Sequence, residues 1–361
     1  MDETILDQIR KTIFSSRIAR EPISDNKLII EEYYAEFYAD IVKNLGIPNL
    51  PLIVCNSINK RICLAETQNQ YCLVFDNYII ELFYLLNQFD SMDDYHIETI
   101  CLKIMAESCR LKSWYISATY FAGEYIDRFE SVIKWFEKKS TNEFTSYLFV
   151  QQDFMIAHEL IHYVVRNKPT FYARSIESIK GYFSNIVSFA LNHFNDVATN
   201  LLPLSSDKLF IEECFCDISA LIHATDIGSK LKNFSLPECA TACALALLNQ
   251  FQISIVSEAI YSKYSENQVD LLTKLNRFNA RLLCFKKAAF DYLCSNTTRE
   301  QASNFLKNID EITVNWNKKV QVPTLNLVSK KVLQAQWEEE VPLSRTEKEK
   351  LNKSLKMVFN T

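Results

Sequence analysis

Glycine and proline are scarce in these 361 residues, with four and eight copies, so few positions supply the turns and breaks that punctuate sheet-rich folds. Many segments instead carry apolar residues three or four apart, and helix is expected to dominate. Neither a CxxC pair nor a Cys/His finger spacing occurs among the eleven cysteines, which excludes the common structural zinc modules. Their odd number, irregular spacing and apolar settings, as at Leu282, Leu283 and Cys284, predict buried thiols rather than a disulfide framework. The opening segment MDETILDQIRKTIF has neither the basic region nor the apolar core of a signal peptide, so a cytoplasmic location is expected. Positive charge is not in excess. A net charge of -5 and a pI near 5.7 give no global field to gather nucleic acid or anionic lipid. No apolar run is unbroken over a bilayer's width: residues 239 to 260 are interrupted by Asn249, Gln250, Gln252 and Glu258 and read as a buried helix, not a membrane span.

The composition, 48% hydrophobic and 23% charged, is that of a globular chain able to bury a sizeable core. Sheet should be modest and early. Residues 51 to 55 (PLIVC) and 69 to 76 (NQYCLVFD) are short, β-branched or aromatic, and bounded by polar clusters, as strands are. From 77 to 137 the spacing is helical, and residues 138 to 145 read as a loop. Asp153 is placed to cap a helix running through Phe154, Ile156, Leu160 and Val164 to about Arg166, stopped by Asn167, Lys168 and Pro169. Further helices are expected over 176 to 200, 208 to 224, 237 to 262, 267 to 295 and 298 to 310. Past Pro323 the chain turns polar, with a closing helix from Ser344, where Ser344 and Glu347 have capping-box spacing. That tail is expected to pack on its own domain, with partner binding as the alternative. The organisation is an N-terminal α+β part over 1 to 150, helices carrying the site over 151 to 235, a helical part over 236 to 320, and the tail over 321 to 361.

Two of only five histidines fall in HELIH, as His158 and His162. Four residues apart on a helix, they are separated by about 40° around the axis and one turn along it, so both rings can reach one ion. Zinc accepts neutral histidine nitrogens, and a catalytic site keeps a position open for water. Glu159 can reach that water as general base. Every flanking residue from Met155 to Val165 outside the motif's acid and histidines is uncharged, which suits a buried helix.

The candidate third ligand lies in IEECFCDISALIH, residues 211 to 223, whose period is helical. Glu213 and Asp217 share a face. Metal-bound histidines generally donate their second ring N–H to a carboxylate, so Glu213 as ligand and Asp217 as that acceptor meet both needs. Glu212 is the rival ligand, although its neighbour one turn on is Cys216. HELIH followed by ECFCD resembles the HExxH and ExxxD pattern of the gluzincin metallopeptidases, over these two short segments. Glu213 follows His162 by 51 positions, a wider gap than in thermolysin-like members. The resemblance implies a predominantly helical α+β, zincin-like fold with a small N-terminal sheet and an active-site helix. It also implies one zinc ion on His158, His162 and Glu213, with Glu159 as base and Asp217 behind a histidine.

The expected activity is hydrolysis of a peptide or protein substrate. A sensor or interaction protein retaining a zincin shell is the alternative. His223 and Tyr163 are candidates to stabilise the oxyanion that acyl transfer develops, while His96 and His193 have less to recommend them. Residues 69 to 76 are the candidate edge for an extended substrate, or else a buried core strand.

Overall fold

Short runs of β-branched and aromatic residues pair into one small sheet, and the elements C-terminal to it are helices. The computed structural model describes residues 38–47, 50–55, 62–67, 70–76, 78–137, 146–167, 177, 179–185, 204, 206–262, 271–332 and 343–359. The expected helix over 176 to 200 and the loop over 138 to 145 fall largely outside them, as does His193. The strands are β1 (Leu52–Cys55), β2 (Ile62–Thr67) and β3 (Gln70–Asp76). Their order is β1-β3-β2, with β3 parallel to β1 and antiparallel to β2, Leu64 standing opposite Leu73. β3 is therefore central. Its alternating side chains are buried on both faces, Leu73 and Phe75 in the main core and Cys72 and Val74 with Ile53 on the other side. Of the two readings of 69 to 76 the buried core strand holds and the edge does not: the outer strands are β1 and β2, and the polar Glu66 and Thr67 of β2 mask its strand signal.

The helices are α1 (Tyr78–Leu86), α2 (Asp94–Leu111), α3 (Tyr115–Glu137), α4 (Leu148–Asn167), α5 (Lys208–Lys232), α6 (Leu236–Ser262), α7 (Leu271–Asn296), α8 (Arg299–Trp316), α9 (Val322–Val332) and α10 (Arg345–Phe359). The chain is a predominantly helical α+β protein. A five-residue π-turn, Asn317–Gln321, joins α8 to α9 and carries the helix up to Pro323, which cannot donate a backbone hydrogen bond. α10 opens on the expected capping box, the Ser344 backbone N donating to Glu347 Oε2 at 2.8 Å and Glu347 N to Ser344 Oγ at 3.3 Å. It packs on its own domain: Leu355 is buried and Asn352 Oδ1 accepts from Arg110 Nε at 3.1 Å. One contiguous core draws on residues from Tyr38 to Leu355.

Among the described residues one helix, α6, is long and apolar enough to cross a membrane over Leu236–Ile260, and 89% of its most apolar window is buried inside the fold. Two of the polar residues that interrupt the window, Asn249 and Gln252, have core partners. Asn249 Nδ2 donates to Asn87 Oδ1 at 2.8 Å, Asn87 exchanges hydrogen bonds with Gln151 of α4, and Gln252 donates to Thr324. These buried polar links fix how α1, α4 and α6 pack, since an unmatched amide there would cost about 1–3 kcal/mol. Gly228 lets α5 approach α4 and α6 closely: a Cβ there would stand 2.8 Å from Cys239 Sγ and 3.0 Å from Val150 Cγ2.

Asp153 does not cap α4. The helix begins five residues earlier, at Leu148, because the apolar residues Leu148, Phe149 and Val150 extend its buried face. Asp153 is fully buried in the helix interior with neither carboxylate oxygen hydrogen-bonded. Burial first, and the Asp40 charge second, push its carboxyl well above the ordinary aspartate range. The folded protein therefore keeps a proton that the unfolded chain loses above about pH 3.9, and stability falls as pH rises beyond that point. Asp153→Asn removes the ionisation and is expected to raise stability at pH 7 by about 1–3 kcal/mol. Urea unfolding between pH 4 and pH 7 checks this; identical pH slopes for the two proteins would contradict it.

Candidate metal centre

α4 brings His158 and His162 to one face, and α5, packed along α4, brings Glu212, Glu213 and Asp217 opposite them. The two histidine Nε2 atoms lie 3.2 Å apart. Glu213 faces both, its Oε2 3.5 Å from His158 Nε2 and its Oε1 3.4 Å from His162 Nε2. One ligand atom from each of the three residues lies within 4.8 Å of the others. Ligands at about 2.0–2.1 Å from an ion, spread at the tetrahedral angle, stand about 3.3 Å apart. The observed separations match that spacing.

Each outer ring nitrogen stands against a carboxylate, in hydrogen-bond geometry at His162 and as an ion-pair contact off the ring N–H direction at His158. His158 Nδ1 is 2.9 Å from Asp217 Oδ1, and His162 Nδ1 is 2.8 Å from Glu212 Oε1. A carboxylate at Nδ1 places the proton there and leaves the Nε2 lone pair aimed inward. The 3.2 Å gap between the two Nε2 atoms is that of an N–H···N hydrogen bond when one ring carries the proton there, and a metal ion would take that proton's place. Glu212, the rival ligand by sequence, is placed behind His162 as its orienting carboxylate. Glu212→Gln is expected to weaken the binding of a divalent metal ion at the cluster by about 10–100-fold, as loss of such a partner does, measured by competition with a chelator. An unchanged affinity would remove the orienting role.

Charge points the same way. Four carboxylates, those of Glu159, Glu212, Glu213 and Asp217, converge with one guanidinium, that of Arg281 on α7. Arg281 Nη1 is 2.9 Å from Glu213 Oε2, its Nη2 donates to Asp217 Oδ1 at 2.7 Å, and its Nε donates to Asp217 Oδ2. Burial opposes the charged form of His158, but the Asp217 and Glu213 carboxylates outweigh it and hold its pKa up to about 10. Burial likewise opposes ionised Glu213 and Asp217. The histidines and Arg281 prevail at Glu213, and Arg281 with His158 at Asp217, so both stay below the ordinary range. A divalent cation would relieve this excess of negative charge.

Glu159 sits on the β2 side, where Leu64 N donates to its Oε2 at 3.3 Å. Burial raises its pKa, with the two histidines pulling the other way. The remaining sequence candidates stand apart. His223 is ten residues beyond Glu213 on α5, about 15 Å along the helix. Its ring is kept neutral by burial, with a pKa near 4. It is not placed to touch a group bound at the cluster. Tyr163 packs edge-on against Tyr71 of β3, ring centroids 5.2 Å apart. His96 pairs with Asp93 at the start of α2 and lies against Trp135.

Arg281 escapes sequence reasoning because nothing links a lone arginine in α7 to acids 64 residues away. A periodicity signal exists only in part: Lys274, Arg277 and Arg281 fall three and four residues apart on one flank of α7. Comparison with protein-family models, curated proteins and solved structures finds no match to the chain.

Proposed function

We propose that this chain is a zinc metallopeptidase. The observation that carries the reading is the convergence of both Nε2 atoms and Glu213 at tetrahedral-ligand spacing, each histidine backed by its own carboxylate. His158, His162 and Glu213 would hold the ion. Bound zinc supplies Lewis acidity, polarising a carbonyl and lowering the pKa of water. Glu159 accepts the water's proton and passes it to the leaving amine. Asp217 and Glu212 keep the two rings in the ligating tautomer, and Arg281 keeps Asp217 and Glu213 ionised.

The reading of the substrate as a peptide is supported by β2. Among the described residues β2 pairs only with β3, and Leu64 on it directs its backbone N–H at Glu159. An extended peptide along that free edge, held by main-chain hydrogen bonds, has its carbonyls within reach of Glu159 and the cluster. Zinc analysis of the purified protein, alongside Glu159→Gln, tests the reading. One zinc per chain in both proteins, with cleavage in the wild type alone, is the expected result; a wild type without stoichiometric zinc overturns it.

A further inference from the structure

We infer that the cavity beside the cluster selects the substrate, by receiving a large apolar side chain, aromatic above all, adjacent to the bond that is cut. The inference rests on the peptidase reading. The cavity measures about 460 Å³ between α5, α6 and α7, within the ~300–1,000 Å³ range of small-molecule sites. Glu213 and Arg281 form one wall. The candidate ligand Glu213 is therefore shared between the metal cluster and the cavity, which places the cavity next to a group held at the cluster.

The rest of the lining sets the chemistry. One face of α6, recurring as Leu247, Phe251, Ser254 and Ile255, meets Phe278 of α7 and Phe210 of α5. Phe251 and Phe278 are stacked, centroids 3.8 Å apart and planes within 7°, giving a rigid aromatic surface on which a further ring can pack. Three cations also line the cavity, but each already has an acid: Lys274 with Glu258, Arg277 with Asp207, and Arg281 with Glu213 and Asp217. An anionic side chain finds no uncompensated charge. A large apolar one finds a preformed surface to cover.

Calorimetric titration of the zinc-loaded full chain with three hydroxamates tests this, the hydroxamate group chelating the metal in each. 3-Phenylpropanohydroxamate is expected to bind at least about tenfold more tightly than acetohydroxamate, and succinic monohydroxamate to gain no such advantage. Ser254 is exposed on the cavity wall, so Ser254→Trp fills the space without disturbing the core. It should abolish the phenyl advantage with zinc content unchanged, whereas Ser254→Ala keeps it. Equal binding of the phenyl and methyl compounds to zinc-loaded protein, tighter binding of the succinic compound, or an advantage that survives Ser254→Trp each overturns the inference and leaves the metal site standing. Failure to load zinc overturns the peptidase reading, and this inference with it.

Discussion

Glu159→Gln is expected to keep its zinc and to lose about 10²–10⁴-fold in hydrolysis, the range that a positioned general base contributes. Glutamine keeps the size of the side chain and a carbonyl oxygen to accept from Leu64 N–H, but it cannot take up a proton. Glu159 is not among the residues that converge as ligands, so metal content should be unaffected. The two readouts must therefore separate. Elemental analysis gives the zinc, and mass spectrometry of a peptide pool digested with each protein gives the cleavage. Cleavage undiminished in the variant would show that Glu159 is not the base. A zinc-loaded variant that retains every biological effect of the wild type would instead favour the sensor or interaction reading, in which the shell binds a partner without hydrolysis.

Arg281→Ala is expected to cost about 3 kcal/mol of stability in metal-free protein. Breaking a buried pair leaves an uncompensated charge and costs about 3–5 kcal/mol. The lower end applies because Glu213 keeps 37% of its side-chain surface, although Asp217 keeps only 1%. Zinc should restore part of the loss, since it brings positive charge to the same carboxylates and stabilises the folded state in proportion to its binding. Urea unfolding with and without zinc measures both effects. A loss below about 1 kcal/mol in the metal-free protein, the size of an exposed pair, would show that Arg281 does not neutralise the cluster.

Much of the site is legible in the sequence because its parts are local. His158, Glu159 and His162 lie within one helical turn and a residue, and Glu213 and Asp217 within another, so spacing alone shows which side chains share a face. The helical periods of α5 to α8 are legible for the same reason, and the capping box at Ser344 is a four-residue signal. Asp153 misleads because an aspartate before an apolar run is the sequence signature of a helix start. Only packing reveals that the three residues Leu148 to Val150 extend the buried face and enclose the carboxylate. β2 escapes notice because strand character there depends on pairing with β3 more than on its own composition.

The amino-acid sequence by itself determined that two histidines one turn apart on a helix could serve one ion with a glutamate beside them, and that two acids one turn apart lay downstream. Short-range geometry is written in residue spacing. Tertiary structure decided that those helices meet, that Glu212 stands behind His162 while Glu213 faces both rings, and that Arg281 balances the acids. It also decided that Phe251 and Phe278 build a cavity against Glu213. Each of these depends on contacts between residues tens to hundreds of positions apart, set by how whole helical faces bury against one another, and no local pattern encodes that.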